Sequence, residues 1–177
     1  KDAYAIKLLT LDCFEDFQNN KAITKLTMSA NNRTDKIDCS GTGVGVVHSL
    51  FLCLKELYAP EFSSLENINL FSFVVNTRFD TAESFEKTDA HVEVVVEFKN
   101  VYGAVTPFRA TTSSLLKSAA AALVSAIQFY INSEKAFLGL RELIDDADAR
   151  QRPDIKIDLV YKITKIVGVS SYEELVR

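Results

Sequence analysis

The sequence predicts an α+β fold built from two similar βββα-type units with antiparallel sheets, followed by a helical tail. Three observations support this prediction. Residues 90–99 alternate apolar side chains with more polar ones, which is typical of an antiparallel strand with one face in solvent. Two long stretches have apolar residues at helical spacing, one beginning near Val44 and one near Ser114. Each follows strand-like segments and a loop of small residues, which indicates an internal duplication.

The first unit is predicted to cover about residues 4–60. It contains three strand-like segments, at residues 6–14, 22–30 and 36–40. Residues 31–34 have the composition of a turn between the second and third strands. The helix that follows residues 41–45 cannot continue through Pro60, because proline lacks the required N–H group.

The second unit is predicted at about residues 68–132, so that residues 1–132 form one duplicated domain. Its strand-like segments are residues 68–79, 90–99 and 104–110. After Asn132 the pattern changes, and residues 133–177 are predicted to form a separate helical appendage. The helices of this appendage are predicted at residues 134–149 and 154–167, with a last short one opened by Ser170 and Glu173.

Composition narrows the class of protein. The chain of 177 residues is 47% hydrophobic and carries a formal net charge of -4, which argues against a nucleic-acid partner. No continuous apolar stretch approaches the roughly 20 residues of a membrane span, so no membrane partner is predicted. Cys13, Cys39 and Cys53 match no metal or redox motif and are predicted to be buried and reduced in a cytoplasmic protein. Because the chain begins at Lys1, we expect it to be part of a longer protein.

The glycine loop Gly41-Thr42-Gly43-Val44-Gly45 is the first candidate site. Backbone N–H groups at the start of the following helix are able to bind a carboxylate or a phosphate. The loop is alternatively a tight turn that needs positive φ. A dinucleotide fold requires G-x-G-x-x-G in a parallel βαβ unit, which this spacing does not match.

Other reactive side chains favour structural roles. His48 and His91 have no neighbouring metal-ligand pattern, so no metal site is predicted. Glu93 and Glu97 are spaced along a solvated strand face. Four serines before and within the second helix are predicted to cap or pack it: Ser113, Ser114, Ser118 and Ser125. The alanine run at residues 119–122 permits close packing, either inside the domain or at a subunit interface.

Four ordered blocks over about residues 4–132 resemble one known family, the C-terminal regulatory domain of 2-isopropylmalate synthases and citramalate synthases. The glycine loop at residues 41–45 resembles that family's G-x-G-P-V-(D/N)-A turn, and residues 70–75 resemble its L-x-D-Y-x-V strand. Thr88-Asp89-Ala90 resembles its G-T-D-A strand. Residues 111–130 resemble its T-x-G-x-S loop and A-S-x-x-A-L-x-D-S-I helix. Four family positions differ, with Val44, Val46, Ser72-Phe73 and Ser125 in place of Pro, Asp or Asn, Asp-Tyr and Asp.

The resemblance implies two βββα-type units that dimerise and bind a branched-chain amino acid, leucine or isoleucine, for feedback inhibition. It also implies an N-terminal catalytic TIM barrel in the full-length protein, an acyltransferase that uses acetyl-CoA and a divalent metal ion. The chain itself is then expected to be non-catalytic and to hold no cofactor. Carried over by position, the effector-binding residues are Gly41, Thr42, Gly43, Gly45, Val46, Leu70, Phe73, Thr77 and Ala90.

Three functional hypotheses follow from the sequence. The leading one is an allosteric, dimer-forming domain that senses a branched-chain amino acid. The second is a dimerisation module whose pocket has lost its polar groups and binds no effector. The third is a small nucleotide-binding domain that uses the glycine loop and requires a parallel sheet.

Overall fold

A computed structural model describes residues 3–31, 35–78 and 91–167. Residues 32–34 of the predicted turn, all residues between the predicted strands at 68–79 and 90–99, and the predicted helix opened by Ser170 lie outside the described residues. The elements in chain order are β1 (Ile6–Asp16), β2 (Lys21–Ala30), β3 (Ile37–Gly43), α1 (Val46–Tyr58), a 3₁₀ turn (Ser63–Asn67), β4 (Ile68–Arg78), β5 (His91–Asn100), β6 (Val105–Thr112), α2 (Leu115–Ala149) and α3 (Pro153–Val167).

The strands form two three-stranded sheets, β1-β2-β3 and β4-β5-β6. Within each sheet, neighbouring strands are antiparallel. The predicted α+β class with antiparallel sheets is therefore confirmed. The first strand of each sheet contains an irregularity near its start, between Leu8 and Thr10 in β1 and between Leu70 and Ser72 in β4. Such bulges bend a strand and increase its twist.

Each sheet covers a helix with one face. Alternate residues of β2, from Ala22 to Ala30, are buried, and so are alternate residues of β5 from Val92 to Asn100. These faces and the buried sides of α1 and α2 belong to one continuous cluster of buried side chains. The ring centroids of Phe51 on α1 and Phe98 on β5 are 5.3 Å apart, so the first helix contacts the second sheet directly.

The helix α2 differs from the prediction. A break was expected after Asn132, but α2 continues without interruption from Leu115 to Ala149. Its residues beyond 132 also contribute to the core, since Glu134 and Phe137 are buried. The physical reason is that residues around 132 contain no proline or glycine, so no residue ends the helix there.

The chain reverses direction after α2 and α3 packs back against it. Gln151 adopts positive φ of 55° at this turn, and Leu159 is the α3 side chain that is most fully covered among those described. Within the described residues, α2 is also the helix that is long and apolar enough to cross a membrane by length and composition, although 56% of an apolar 18-residue segment of it is buried inside the fold. A helix at the centre of a core has the same composition.

Candidate functional site at the start of the first helix

The glycine loop connects β3 to α1 at the surface of the domain. Gly43 is the last residue of β3, and Gly45 is the N-cap residue of α1. Among the described glycines only Gly103 has positive φ, so the loop is not a turn that depends on that conformation. The alternative of a positive-φ turn is therefore wrong for these three glycines.

Close packing explains two of the glycines. A Cβ on Gly41 would overlap the carbonyl oxygen of Ser49 and lie 2.8 Å from the Cβ of Cys53. A Cβ on Gly43 would lie 2.7 Å from the backbone nitrogen of Ser49. The absence of side chains at these positions lets the first turns of α1 lie directly on β3. Gly45 is different, because a Cβ there would meet nothing within 4 Å.

Gly45 leaves the start of α1 without a capping side chain. The first N–H groups of any α-helix have no partner within the helix, and they carry the positive end of its dipole. The backbone N–H of Val44, just before the helix, donates a hydrogen bond to Nδ1 of His48 at 3.4 Å, and Val44 is 75% exposed, so this helix start lies at the protein surface. The arrangement is chemically suited to an anionic group.

The start of α2 is arranged in the opposite way. The Ser114 hydroxyl accepts a hydrogen bond from the Lys117 N–H at 3.4 Å, and Thr112 Oγ1 accepts one from the Ser114 N–H at 3.1 Å. Ser118 donates its hydroxyl to the carbonyl oxygen of Val92 at 2.7 Å. Hydroxyl side chains therefore fill the region around the α2 start, which confirms the predicted capping and packing roles of Ser114 and Ser118.

Thr24 lies beneath the first turns of α1. It pairs directly with Gly41 across the strands β2 and β3, it is fully buried, and its hydroxyl has no hydrogen-bond partner. An unpartnered buried hydroxyl costs about 1–3 kcal/mol. Sequence reasoning missed this residue, since Thr24 is there only one member of the strand-like segment at residues 22–30.

The predicted effector-binding residues of β4 lie on its inner face, on the same side of the sheet as the buried residues of β5. Leu70 pairs with Phe98 and is half-buried against the core. Phe73 pairs with Val96 and is 36% exposed, and Thr77 pairs with Val92 and is exposed. The inner face of β4 therefore becomes progressively more open toward its end.

Two contacts connect α1 to the second sheet. Lys55 donates from Nζ to the carbonyl oxygen of Ile68 at 3.2 Å, at the first residue of β4. One helical turn earlier, the Phe51 ring contacts Phe98, which pairs with Leu70. These contacts join the middle and second half of α1 to the first residues of β4 and to the strand beside it.

The predicted site is therefore partly assembled. Gly41, Thr42, Gly43, Gly45 and Val46 lie together at the end of β3 and the start of α1. Leu70 pairs with Phe98, whose ring contacts Phe51 on α1, and Thr77 lies toward the far end of β4. Ala90 lies outside the described residues.

Thr77 contributes to a surface hollow of about 620 Å³ at the end of the second sheet. The other residues that line it are Val75, Asn76, His91, Glu93 and Thr111. The Asn76 amide donates to Glu93 at 3.0 Å, so this carboxylate is held in place across two strands. Among the described residues, no three His, Cys, Asp or Glu side chains form a group that could hold a metal ion, here or elsewhere.

The cysteines differ from the prediction. Cys39 on β3 and Cys53 on α1 form a disulfide with a Cα–Cα distance of 6.1 Å, and Cys13 is exposed. The prediction that all three are buried and reduced is therefore wrong. Sequence spacing does not reveal this pair, because the contact between β3 and α1 that brings the two residues together depends on Gly41.

Two side chains, Lys55 on α1 and Cys13 on β1, have shifted pKa values. Burial lowers the pKa of Lys55, whose ammonium group also donates to the carbonyl oxygen of Glu66 at 3.1 Å. Partial burial raises the pKa of the Cys13 thiol above its ordinary value of 9.0, and the charges of Glu15 and Asp12 raise it further. Neither group lies at the glycine loop itself.

No protein-family model matches the chain, and a search of the curated proteins finds no match either.

Proposed function

We propose that this chain is a regulatory, dimer-forming domain that binds the carboxylate of a small effector at the start of α1. The observation that carries the proposal is the bare helix start at Gly45, which has no capping side chain although α2 is capped by Ser114. A carboxylate bound there would supply the missing hydrogen-bond acceptor and interact favourably with the helix dipole.

The proposed internal duplication is supported by matching registers. Both β1 and β4 have 11 residues, and in both the irregularity follows the third residue. Both β2 and β5 have 10 residues. In each unit, the third strand pairs with the middle strand up to one final residue, and the N-cap of the helix follows that residue by two positions.

These registers make Gly43 the counterpart of Thr112, and Gly45 the counterpart of Ser114. Ser49 and Ser118 correspond as well, and both are buried. At these corresponding positions, the second unit has hydroxyl side chains near its helix start, whereas the first unit has glycines, which have no side chain. This difference between the units favours a ligand site at the first helix alone.

The proposed effector is leucine or isoleucine. Its carboxylate would bind the N–H groups at the α1 start, and its aliphatic side chain would contact apolar walls from Val46, Leu70 and Phe73. The half-buried state of Leu70 and the partial exposure of Phe73 support an apolar surface that a ligand is able to cover.

The family membership suggested by the sequence extends the proposal to the whole protein. In it, the chain regulates an N-terminal TIM-barrel acyltransferase that uses acetyl-CoA and a divalent metal ion in the cytoplasm. The Cys39–Cys53 disulfide argues against the cytoplasmic part of this proposal, since disulfides are rare in a reducing cytoplasm.

The second candidate is a dimerisation module that binds no effector. It is favoured by the apolar or small residues Val46, Ser72 and Ser125, at positions where the resembled family has carboxylates or amides. The nucleotide-binding alternative requires a parallel βαβ unit, and the strands that the structure describes contain none.

Calorimetric titration with leucine, isoleucine and valine separates the first two candidates. We expect saturable heat with at least one of them in the native chain. Gly45→Asp should abolish it, because the new carboxylate would occupy the helix start without a steric clash. Gly139→Asp is the matched control, since it adds the same charge where a Cβ also meets nothing within 4 Å. Absence of heat with all three amino acids would leave the dimerisation module as the function.

A further inference from the structure

The four edges of the two sheets differ in how they resist pairing with another strand. The edge strand β1 carries charged residues along its length, including Lys7, Asp12 and Glu15. The edge strand β6 contains Pro107 and Arg109. The short edge strand β3 carries Asp38 and is covered by α1 near Gly41. Charges, proline and short length are the devices that block edge-to-edge association.

The edge strand β4 lacks these devices. Between Asn69 and Thr77 it contains no charged residue and no proline. Three consecutive apolar side chains beyond the bulge are partly exposed, with Phe73 at 36%, Val74 at 45% and Val75 at 38%. A long apolar edge of this kind is a template for an added strand.

The sequence of β4 is complementary to itself. In an antiparallel pair of identical strands related by a two-fold axis, directly opposed residues lie on the same face of the sheet. One residue, the one at the axis, is therefore opposed by its own copy in the second strand. Phe73 and Val75 pair with the buried residues of β5 and share the inner face, while Val74 lies on the outer face.

An axis at Val74 therefore opposes Val74 to itself and Phe73 to Val75 of the second copy. On the outer face it opposes Ser72 to Asn76, so that apolar residues meet apolar ones and neutral polar residues meet each other. No like charges are brought together. Aromatic and β-branched side chains are a favourable cross-strand combination.

We propose that two copies of this chain associate through β4, with Val74 on the two-fold axis, to form a continuous six-stranded antiparallel sheet. This inference rests on the self-association included in the proposed function, and it names the surface that mediates it. The effector site shares Phe73 with this surface, but its carboxylate position depends on the helix start at Gly45.

Cysteine cross-linking tests the register in a Cys13→Ser background, which removes the exposed native thiol. Under mild oxidation with diamide, Val74→Cys should form a covalent dimer, because opposed residues have Cα atoms about 4.5–5.5 Å apart. Ser72→Cys and Asn76→Cys should each fail to link alone, and an equimolar mixture of the two should link.

Light scattering provides the second measurement. The molar mass measured for the native protein should be twice the 19.7 kDa of one chain, and Val74→Lys should be monomeric. Val160→Lys is the control, since Val160 is also an exposed apolar residue, at 42%, but lies on α3. Circular dichroism verifies that both variants are folded.

Two results would overturn the inference. The first is that the native chain is a dimer, but neither Val74→Cys alone nor the mixture of Ser72→Cys and Asn76→Cys forms a covalent dimer. The two copies would then associate through another interface. The second is a monomeric native chain, which would also remove dimerisation from the proposed function. Calorimetric binding of an amino acid is measured independently, so its outcome remains distinguishable in both cases.

Discussion

Gly41 on β3 and Ser49 on α1 approach so closely that a Cβ on Gly41 would overlap the Ser49 carbonyl oxygen. This contact brings the whole first turn of α1 onto the end of the first sheet. It also positions Cys53, whose backbone nitrogen would lie 2.8 Å from the same Cβ. Gly41 thus determines both the helix position and the disulfide.

Gly41→Ala is expected to lower the free energy of unfolding by about 1–3 kcal/mol, because the methyl group must displace helix backbone. Gly139→Ala should instead raise it by about 0.5–1 kcal/mol, since alanine favours the helix and the added Cβ meets nothing within 4 Å. Urea denaturation of both variants measures the two changes. Equal stabilities would contradict the close approach at Gly41.

The two helix starts should respond oppositely to substitution. Ser114→Ala removes the side-chain cap of α2 and is expected to cost about 0.5–2 kcal/mol of stability. Gly45→Ser adds a cap to α1 and should stabilise the fold by a few tenths of a kcal/mol, roughly the difference between serine and glycine caps. Thermal denaturation measures both effects. A loss of stability in Gly45→Ser would mean that the α1 start is already satisfied.

Reduction of the Cys39–Cys53 disulfide should lower the free energy of unfolding by about 3 kcal/mol, the value expected for a closed loop of about 15 residues. The melting temperature of the native chain should therefore fall in dithiothreitol. Cys53→Ser should melt at a temperature that does not depend on the reductant, whereas Cys13→Ser should retain the dependence. Three titratable thiols in the non-reduced, denatured chain would contradict the disulfide.

Cys13 should react slowly with alkylating reagents despite its exposure. Its pKa is raised by partial burial and by the charges of Glu15 and Asp12, so the reactive thiolate is scarcer at pH 8 than in a free cysteine. The rate of iodoacetamide alkylation against pH should have a midpoint above 9.0. Glu15→Gln should move that midpoint downward, and a midpoint below 9.0 in the native chain would be inconsistent with this environment.

Truncation distinguishes the two parts of the C-terminal region. A chain that ends at residue 149 retains Glu134, which accepts a hydrogen bond from the Ser64 N–H at 2.9 Å, and the buried Phe137. It should remain folded. A chain that ends at residue 132 loses both contacts and should be strongly destabilised, since burial of one phenylalanine alone contributes about 1.5–3 kcal/mol. Far-UV circular dichroism with urea titration compares the two; similar stabilities would support a separate appendage after residue 132.

The sequence predicts local structure well wherever periodicity is strong. The alternation at residues 90–99 and the helical spacing after residues 45 and 114 identify β5, α1 and α2 at nearly their observed positions. The continuity of α2 was missed because the change in composition after Asn132 resembles a boundary. The composition of a segment indicates how exposed its helix is to solvent, whereas residues such as glycine and proline determine where a helix ends.

The candidate site is less accessible to sequence reasoning. Glycine spacing indicated a helix start, but the reason for Gly41 and Gly43 is contact with Ser49, which lies on the next element. The disulfide, the unpartnered Thr24 hydroxyl and the open edge of β4 all depend on how elements are placed in space. A single sequence contains no direct signal for these distances.

The unbroken helix α2 has a mechanical consequence for the domain. Its 35 residues extend about 52 Å at the usual 1.5 Å rise per residue, with the first turns held against the second sheet and the last turns carrying α3. Because α2 is buried as far as Phe137, only its last residues, about 18 Å of helix, extend beyond the packed part. A tilt of about 5° of this segment would displace its end by roughly 1.6 Å, given that rise. Small movements at the edge of the packed core would therefore reach α3.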